Sequence, residues 1–292
     1  MKNYRNKTIF DWNTYKENDI SSKESLLIMN YMKSKSYDIN IKNVIIRNFT
    51  NSVGVIIQQD DNIFMHIYSE LKQFLDENDI TLFFFAFQKP INKIFEKGKN
   101  MYSIENNFLK ININNVIVSL LPDSFFQPNL DKLNLYYENF IKWVIQSKSD
   151  NMINLGDDGG NVCTILNKMF QNMITLFHCN QSFICAEEMI KDNNIQNLEL
   201  TKDISYCKEF DNTKDNIILF INPGRKGLKD YEIDFINTSK NINYIIYMAC
   251  NLKAFERDKD QISKFKIIDS IEIDVMPNTK NTQNLLLLNK IE

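Results

Sequence analysis

The chain has 292 residues, 43% of them hydrophobic, and a formal net charge of −3. This length builds one large domain or two ordinary ones, and the slightly acidic balance excludes a surface that grips nucleic acid throughout, leaving a local patch for any such contact. The five cysteines are scattered and form no CxxC pair, so no zinc or iron–sulfur site is readable and a reducing compartment is expected.

The opening residues, Met1 to Asn13, lack the apolar core of a signal peptide. The longest unbroken apolar run, Tyr244 to Cys250, is far too short to cross a bilayer. A cytoplasmic or otherwise intracellular protein is expected, with no membrane partner. Asn43 to Ile57 holds two β-rich runs around a polar connection, the pattern of a hairpin. Phe64, Ile67, Leu71, Phe74 and Leu75 recur at helical spacing. Leu82 to Phe87 is wholly apolar, as in a buried strand, and Phe108 to Leu121 contains two strand-like runs around Asn114-Asn115. These elements predict a small α+β domain over residues 1–121.

A second texture begins at Leu130, where apolar spacing predicts a helix to Ser147. Met152 to Leu155 reads as a short strand that ends at the loop Gly156-Asp157-Asp158-Gly159-Gly160. A helix is expected from Asn161 to about Gln171, a strand over Thr175 to Cys179, a helix over Phe183 to Asn193 and a strand over Leu198 to Leu200. Ile217 to Ile221 and Tyr244 to Met248 are apolar throughout, as in strands buried on both faces of a parallel sheet. Two further strands, Lys264 to Val275 and Asn284 to Leu288, are joined by a polar turn. Strands alternating with helices predict a doubly wound α/β sheet over residues 122–292.

Three loops follow predicted strands of that sheet, and ligands of open α/β sheets bind at the carboxyl ends of strands. The glycine turn 156–160 lets backbone approach a ligand, or is an ordinary surface turn. Asn222-Pro223-Gly224-Arg225 makes a shaped rim with a cation, or a turn with a solvated arginine. Cys250 is a thiol at the same edge, or a small buried hydrophobe. Ser124-Phe125-Phe126-Gln127-Pro128-Asn129 reads as structural. His66 and His178 have no partner at ligand spacing. Lys89, Lys93, Lys97 and Lys99, with Phe87 and Phe95 between them, suit RNA phosphates and bases or a solvated face.

Taken together, several separated segments resemble the TrmA/RumA-type RNA (uracil-5-)-methyltransferases. Tyr4-Arg5-Asn6-Lys7 is similar to the family's YRNK segment, and Pro122 to Asn129 to its serine–Phe-Phe-Gln–x-Asn motif. Asn222 to Leu228 resembles DPPRxGL, Ala249-Cys250-Asn251 with Arg257-Asp258 resembles SCNPxTLARD, and Pro277-Asn278-Thr279 falls where the family has PxTxHVE. The order and spacing run from Tyr4 to the C-terminus. These 292 residues hold no counterpart of the family's N-terminal RNA-binding barrel or of its four-cysteine cluster motif.

The resemblance implies a Rossmann-like methyltransferase sheet with an antiparallel C-terminal strand pair. It implies S-adenosyl-L-methionine as cofactor, RNA as partner with tRNA the expected RNA, and a monomer. Cys250 would be the nucleophile that adds to C6 of uracil. Gln127, Gly156, Asp158, Gly160, Asn180 and Asn222 would lie around the cofactor, and Arg225 would shape the uracil pocket. Amides stand where the family has acids at Asn154, Asn180, Asn222 and Gln283, and Asp158 stands where it has a glycine. Gln283 takes the place of the proton-abstracting glutamate, yet an amide is not a base. Two readings follow: a uridine-C5 methyltransferase, or a catalytically impaired relative that binds RNA or a ribonucleoprotein.

Overall fold

A computed structural model describes residues 2–4, 7–11, 22–35, 41–49, 52–59, 64–78, 80–87, 101–103, 108–121, 124, 132–156, 159–274 and 282–291. The chain divides into two compact units, residues 1–111 with 119–124, and residues 112–118 with 125–292. The predicted basic stretch Lys89 to Lys99, the site residues Gln127 and Asp158, Arg5-Asn6, and Pro277 to Thr279 lie outside the described residues.

The first unit is α+β. Its sheet runs β1 (Lys2–Tyr4), β2 (Lys7–Asp11), β3 (Ile41–Phe49), β4 (Ser52–Gln59), β5 (Thr81–Phe87) and β6 (Met101–Ser103), in that spatial order. Neighbours are antiparallel except β4 and β5, which run parallel because α2 (Phe64–Asp76) carries the chain back between them. Leu71 and Leu75 of α2 and Ile28, Met29 and Met32 of α1 (Lys23–Ser34) bury against Val44, Ile46, Val53 and Val55. Ser22 caps α1 by accepting from the Ser25 amide. Arg47 of β3 is buried and donates to the carbonyls of Leu121 and Ser124.

Strands β7 (Leu109–Ile113) and β8 (Val116–Leu120) pair around Asn114 and Asn115, whose φ angles are 52° and 65°. Two left-handed residues in a two-residue hairpin turn match the right-handed twist of the strands, and asparagine tolerates that conformation well.

The second unit carries a seven-stranded sheet. In chain order its strands are β9 (Asn151–Gly156), β10 (Asn172–Leu176), β11 (Leu198–Thr201), β12 (Ile217–Asn222), β13 (Ile242–Ala249), β14 (Phe265–Ile273) and β15 (Gln283–Lys290). Their spatial order is β11-β10-β9-β12-β13-β15-β14. The first five are parallel, and β15 inserts antiparallel between β13 and β14. β14 and β15 form the expected antiparallel C-terminal pair, and of the seven strands only β15 runs against the rest.

Side chains alternate between the faces of this sheet. Ile153, Leu155, Ile174, Leu219, Ile221, Ile245 and Tyr247 pack on one side with Cys207 and Phe210 of α6 (Ile204–Thr213), Phe235 of α7 (Asp230–Thr238) and Phe255 of α8 (Leu252–Gln261). The opposite side carries α3 (Leu133–Ser147), where Phe140 meets Phe220 edge-on at 5.0 Å and Trp143 donates to Asp269 at 2.9 Å. Toward β10 it carries α4 (Asn161–Leu166), whose Cys163 sulfur lies 3.0 Å from the Thr175 hydroxyl. Full burial on both sides explains why these strands read as continuous apolar runs.

Three expected elements shift their bounds. The strand expected at Thr175 to Cys179 is Asn172–Leu176, and α5 (Asn180–Asn193) starts three residues before its expected start at Phe183. Asn172 and Met173 belong to the strand because they pair in register with Asn151 and Met152 of β9. The helix expected to Gln171 ends at Leu166 and continues only as a 3₁₀ turn over Asn167–Met169.

Candidate active site

Cys250 directly follows β13, and the strand register decides what it meets. Ala249 pairs with Asn284, so the next antiparallel step brings Cys250 opposite Gln283. The Gln283 side chain is buried and its Nε2 donates to Cys250 Sγ at 3.3 Å. Cys250 itself is an exposed residue, which removes the reading of it as a buried hydrophobe. Surrounding protein atoms desolvate the sulfur and raise its pKa, whereas the Gln283 bond and the charge of Arg225 act to lower it. Cys207 shows the unopposed case: burial, then the charges of Asp203 and Glu232, push its thiol up to about 12.

The loop after β12 is fastened to α8. Asp258 is fully buried and accepts from the Leu228 amide at 2.7 Å, the Tyr247 hydroxyl at 2.6 Å and the Arg257 guanidinium. Arg257 also donates to the Lys226 carbonyl at 2.8 Å. Gly227 has φ +79°, and a Cβ there would collide with Arg257 and Asp258. The Gly-Leu of one sequence segment and the Arg-Asp of another are thus halves of one clamp. Asn251 completes it: its side chain caps α8 through the Lys253 amide and donates to the Arg225 carbonyl at 3.2 Å.

The end of β9 is built differently. Gly156 pairs with Asn222 of β12, and a Cβ on Gly156 would strike the Asn222 carbonyl. Gly160 has φ +80° and stands before α4, where a Cβ would lie 2.7 Å from Ala186 of α5. Both glycines are therefore required by the protein's own close packing. Two residues before Gly156, Asn154 is completely buried, yet neither its Oδ1 nor its Nδ2 meets a hydrogen-bond partner. Its register neighbours are Thr175 and Phe220. Asn180, expected near the cofactor, is the first residue of α5, and its Oδ1 accepts from Lys202 Nζ at 2.6 Å.

The geometry thus joins Cys250 to Gln283, with Arg225 within electrostatic reach of the sulfur, and Asn222 to Gly156. Sequence reasoning missed the surroundings of His178. That ring bonds the buried Glu232 through Nε2 at 2.9 Å and meets Tyr231 through Nδ1 at 3.3 Å. Its partners are 53 and 54 residues away in the chain, which hides them from any local spacing rule. Glu272, a residue near Gln283 in the fold, is exposed on β14 opposite Asn284. Among the described residues no group of three His, Cys, Asp or Glu side chains is placed to hold a metal, and no helix is long and apolar enough to cross a membrane.

No family model matches the chain. A solved tRNA (uracil-54, C5)-methyltransferase from Pyrococcus abyssi, in complex with S-adenosyl-L-homocysteine, aligns with a TM-score of 0.72 at 16% identity, over 98% of this chain and 76% of that one. The second unit therefore has the Rossmann-like fold of the S-adenosylmethionine-dependent methyltransferases. A putative RNA methyltransferase of Acanthamoeba polyphaga mimivirus is 27% identical over 201 residues, 64% of this chain and 51% of the relative. The 23S rRNA (uracil(747)-C(5))-methyltransferase of Photorhabdus laumondii is 26% identical over 207 residues, 68% of this chain and 53% of the relative. The chain is thus similar in sequence to RNA (uracil-5-)-methyltransferases, and it spans about half the length of these curated relatives.

Proposed function

We propose that this protein binds S-adenosyl-L-methionine and methylates C5 of a uridine in RNA, with tRNA the first RNA to test. The observation that carries the reading is the Gln283 amide on the Cys250 sulfur, with Arg225 close enough to favour the thiolate. A cysteine has no role in simple N- or O-methyl transfer, whereas it is the required nucleophile for an unactivated uracil carbon.

The residues present fit the cofactor. The unpartnered amide of Asn154 lies just before the glycine turn, and offers one donor group and one acceptor. Gly156, Gly160, Asn180 and Asn222 would hold the group, together with Gln127 and Asp158. When bound, it supplies an electrophilic methyl group. In this mechanism Cys250 adds as a thiolate to C6 of the flipped-out base. The new C–S bond takes the electron pair of sulfur, and the C5=C6 pair moves into an enolate that makes C5 nucleophilic. After C5 is methylated, its proton passes to a solvent water, and the freed C–H electron pair re-forms the C5=C6 bond and expels the thiolate. Gln283 does not accept that proton; it is a positioning residue that stabilises the sulfur anion.

Calorimetry with S-adenosyl-L-methionine, followed by methyl transfer to unmodified tRNA, tests the proposal. Binding and transfer are expected for the parent protein. Cys250→Ala should keep cofactor binding and lose transfer. Absence of cofactor binding would sink the enzyme reading. The amides at Gln283 and Asn180 favour a second reading, an RNA-binding relative without catalysis, which would show RNA binding and no transfer.

A further inference from the structure

Beside Cys250 lies a cavity of about 840 Å³ whose lining includes Arg225, Lys226, Lys229, Lys253, Arg257 and His178. We infer that this groove binds the backbone phosphates of the RNA strand that carries the target uridine. This deepens the RNA reading of the same site and rests on it.

Charge is the first argument. The chain as a whole is slightly acidic, yet five cationic side chains meet in one groove. All five residues are exposed. Among the described residues no ion pair engages Arg225, Lys226 or Lys253. Arg257 is paired with Asp258, and Asp230 lies within its electrostatic reach. Lys229 donates to the Tyr231 hydroxyl at 3.1 Å. Among the described residues no carboxylate lines the cavity. Such a surface suits a polyanion. It does not suit S-adenosyl-L-methionine, whose sulfonium and ammonium groups outweigh its one carboxylate.

Construction is the second argument. Lys253 and Arg257 are four residues apart on α8 and so share a face. Arg225, Lys226 and Lys229 come from the loop on the other side. The bonds from Asn251 to the Arg225 carbonyl and from Arg257 to the Lys226 carbonyl tie the two walls together, so the cations are presented on a braced frame. Position is the third. Asn251 lines the groove and directly follows Cys250, and the Arg225 charge is felt at the Cys250 sulfur. A strand anchored at this groove by its phosphates would deliver a flipped base to that sulfur.

The test is the salt dependence of binding to an unmodified tRNA transcript, followed by fluorescence anisotropy. The double variant K226Q/K253Q is compared with K214Q/K266Q, which removes the same charge at the opposite, amino-end edge of the sheet. Each phosphate neutralised on a single strand contributes about 0.7 to the slope of log affinity against log salt. K226Q/K253Q is expected to weaken binding about tenfold at low salt and to flatten the slope by about 1.4. The K214Q/K266Q control is expected to leave the slope unchanged. An unchanged slope in K226Q/K253Q, or equal losses in both variants, would overturn the inference. Cofactor calorimetry on the parent separates the two claims: RNA binding through the groove without cofactor binding keeps the groove and removes the enzyme.

Discussion

The two loops that leave neighbouring strands β9 and β12 are secured in opposite ways. The β12 loop is complete within the protein: Asp258 has an amide, a phenol and a guanidinium for its oxygens, and Gly227 leaves room for that cluster. The end of β9 is incomplete: its glycines are tightly packed, but Asn154 keeps both polar atoms buried without a partner. A buried amide in that state costs stability that a ligand or a bound water can return. The thiol side is thus prepared without ligand, whereas the side proposed for the cofactor is left to be finished by one.

The largest effect should come from breaking the finished side. Asp258→Ala leaves the Leu228 amide, the Tyr247 hydroxyl and Arg257 without their acceptor, and is expected to cost about 3–5 kcal/mol in denaturant unfolding. A loss under 1 kcal/mol would show that the clamp is incidental. Gly160→Ala probes the tight packing before α4. The left-handed φ and the 2.7 Å approach to Ala186 should together cost about 2–3 kcal/mol, read from the same unfolding curves.

Asn154→Leu sharpens the contrast, because it should act with opposite signs on two readouts. Replacing an unsatisfied buried amide by a similar apolar shape is expected to raise stability of the free protein by about 1 kcal/mol. The same change should weaken S-adenosyl-L-methionine binding by calorimetry. A loss of stability, with cofactor affinity unchanged, would break the comparison.

A further effect concerns the thiol. Desolvation of the Cys250 sulfur by neighbouring atoms raises its pKa while Gln283 and Arg225 oppose the rise, so the thiolate gains as pH rises. Methyl transfer should therefore increase with pH through and beyond the ordinary thiol value of about 8.5. Gln283→Leu removes one opposing influence and should move that increase to higher pH, costing up to about tenfold in rate at neutral pH. A pH–rate profile that is flat, or that moves to lower pH in the variant, would exclude Gln283 as a support of the thiolate.

The sheet was readable because its strands are buried on both faces, so Ile217 to Ile221 and Tyr244 to Met248 appear as unbroken apolar runs. The reach of β10 was not, because Asn172 joins it through pairing with Asn151 and not through its own character. The pairing of Cys250 with Gln283 depends on register across 33 residues; the resemblance assigns both to one reaction, but only the fold brings them into contact. The basic groove escaped notice because its cations are split between residues 225–229 and 253–257, with no run dense enough to see. The bond of His178 to Glu232 likewise joins one strand end to a distant helix.

The most direct test is formation of a covalent bond at Cys250. An unmodified tRNA transcript carrying 5-fluorouridine has no C5 proton to release, so the thiol adduct should persist once C5 is methylated. Intact-mass measurement of the protein incubated with this RNA and S-adenosyl-L-methionine is expected to show the protein–RNA adduct, mapped to Cys250 and missing in Cys250→Ala. Full methyl transfer to ordinary tRNA by the alanine variant, or no adduct with the parent protein, would contradict the assignment of Cys250 as the nucleophile.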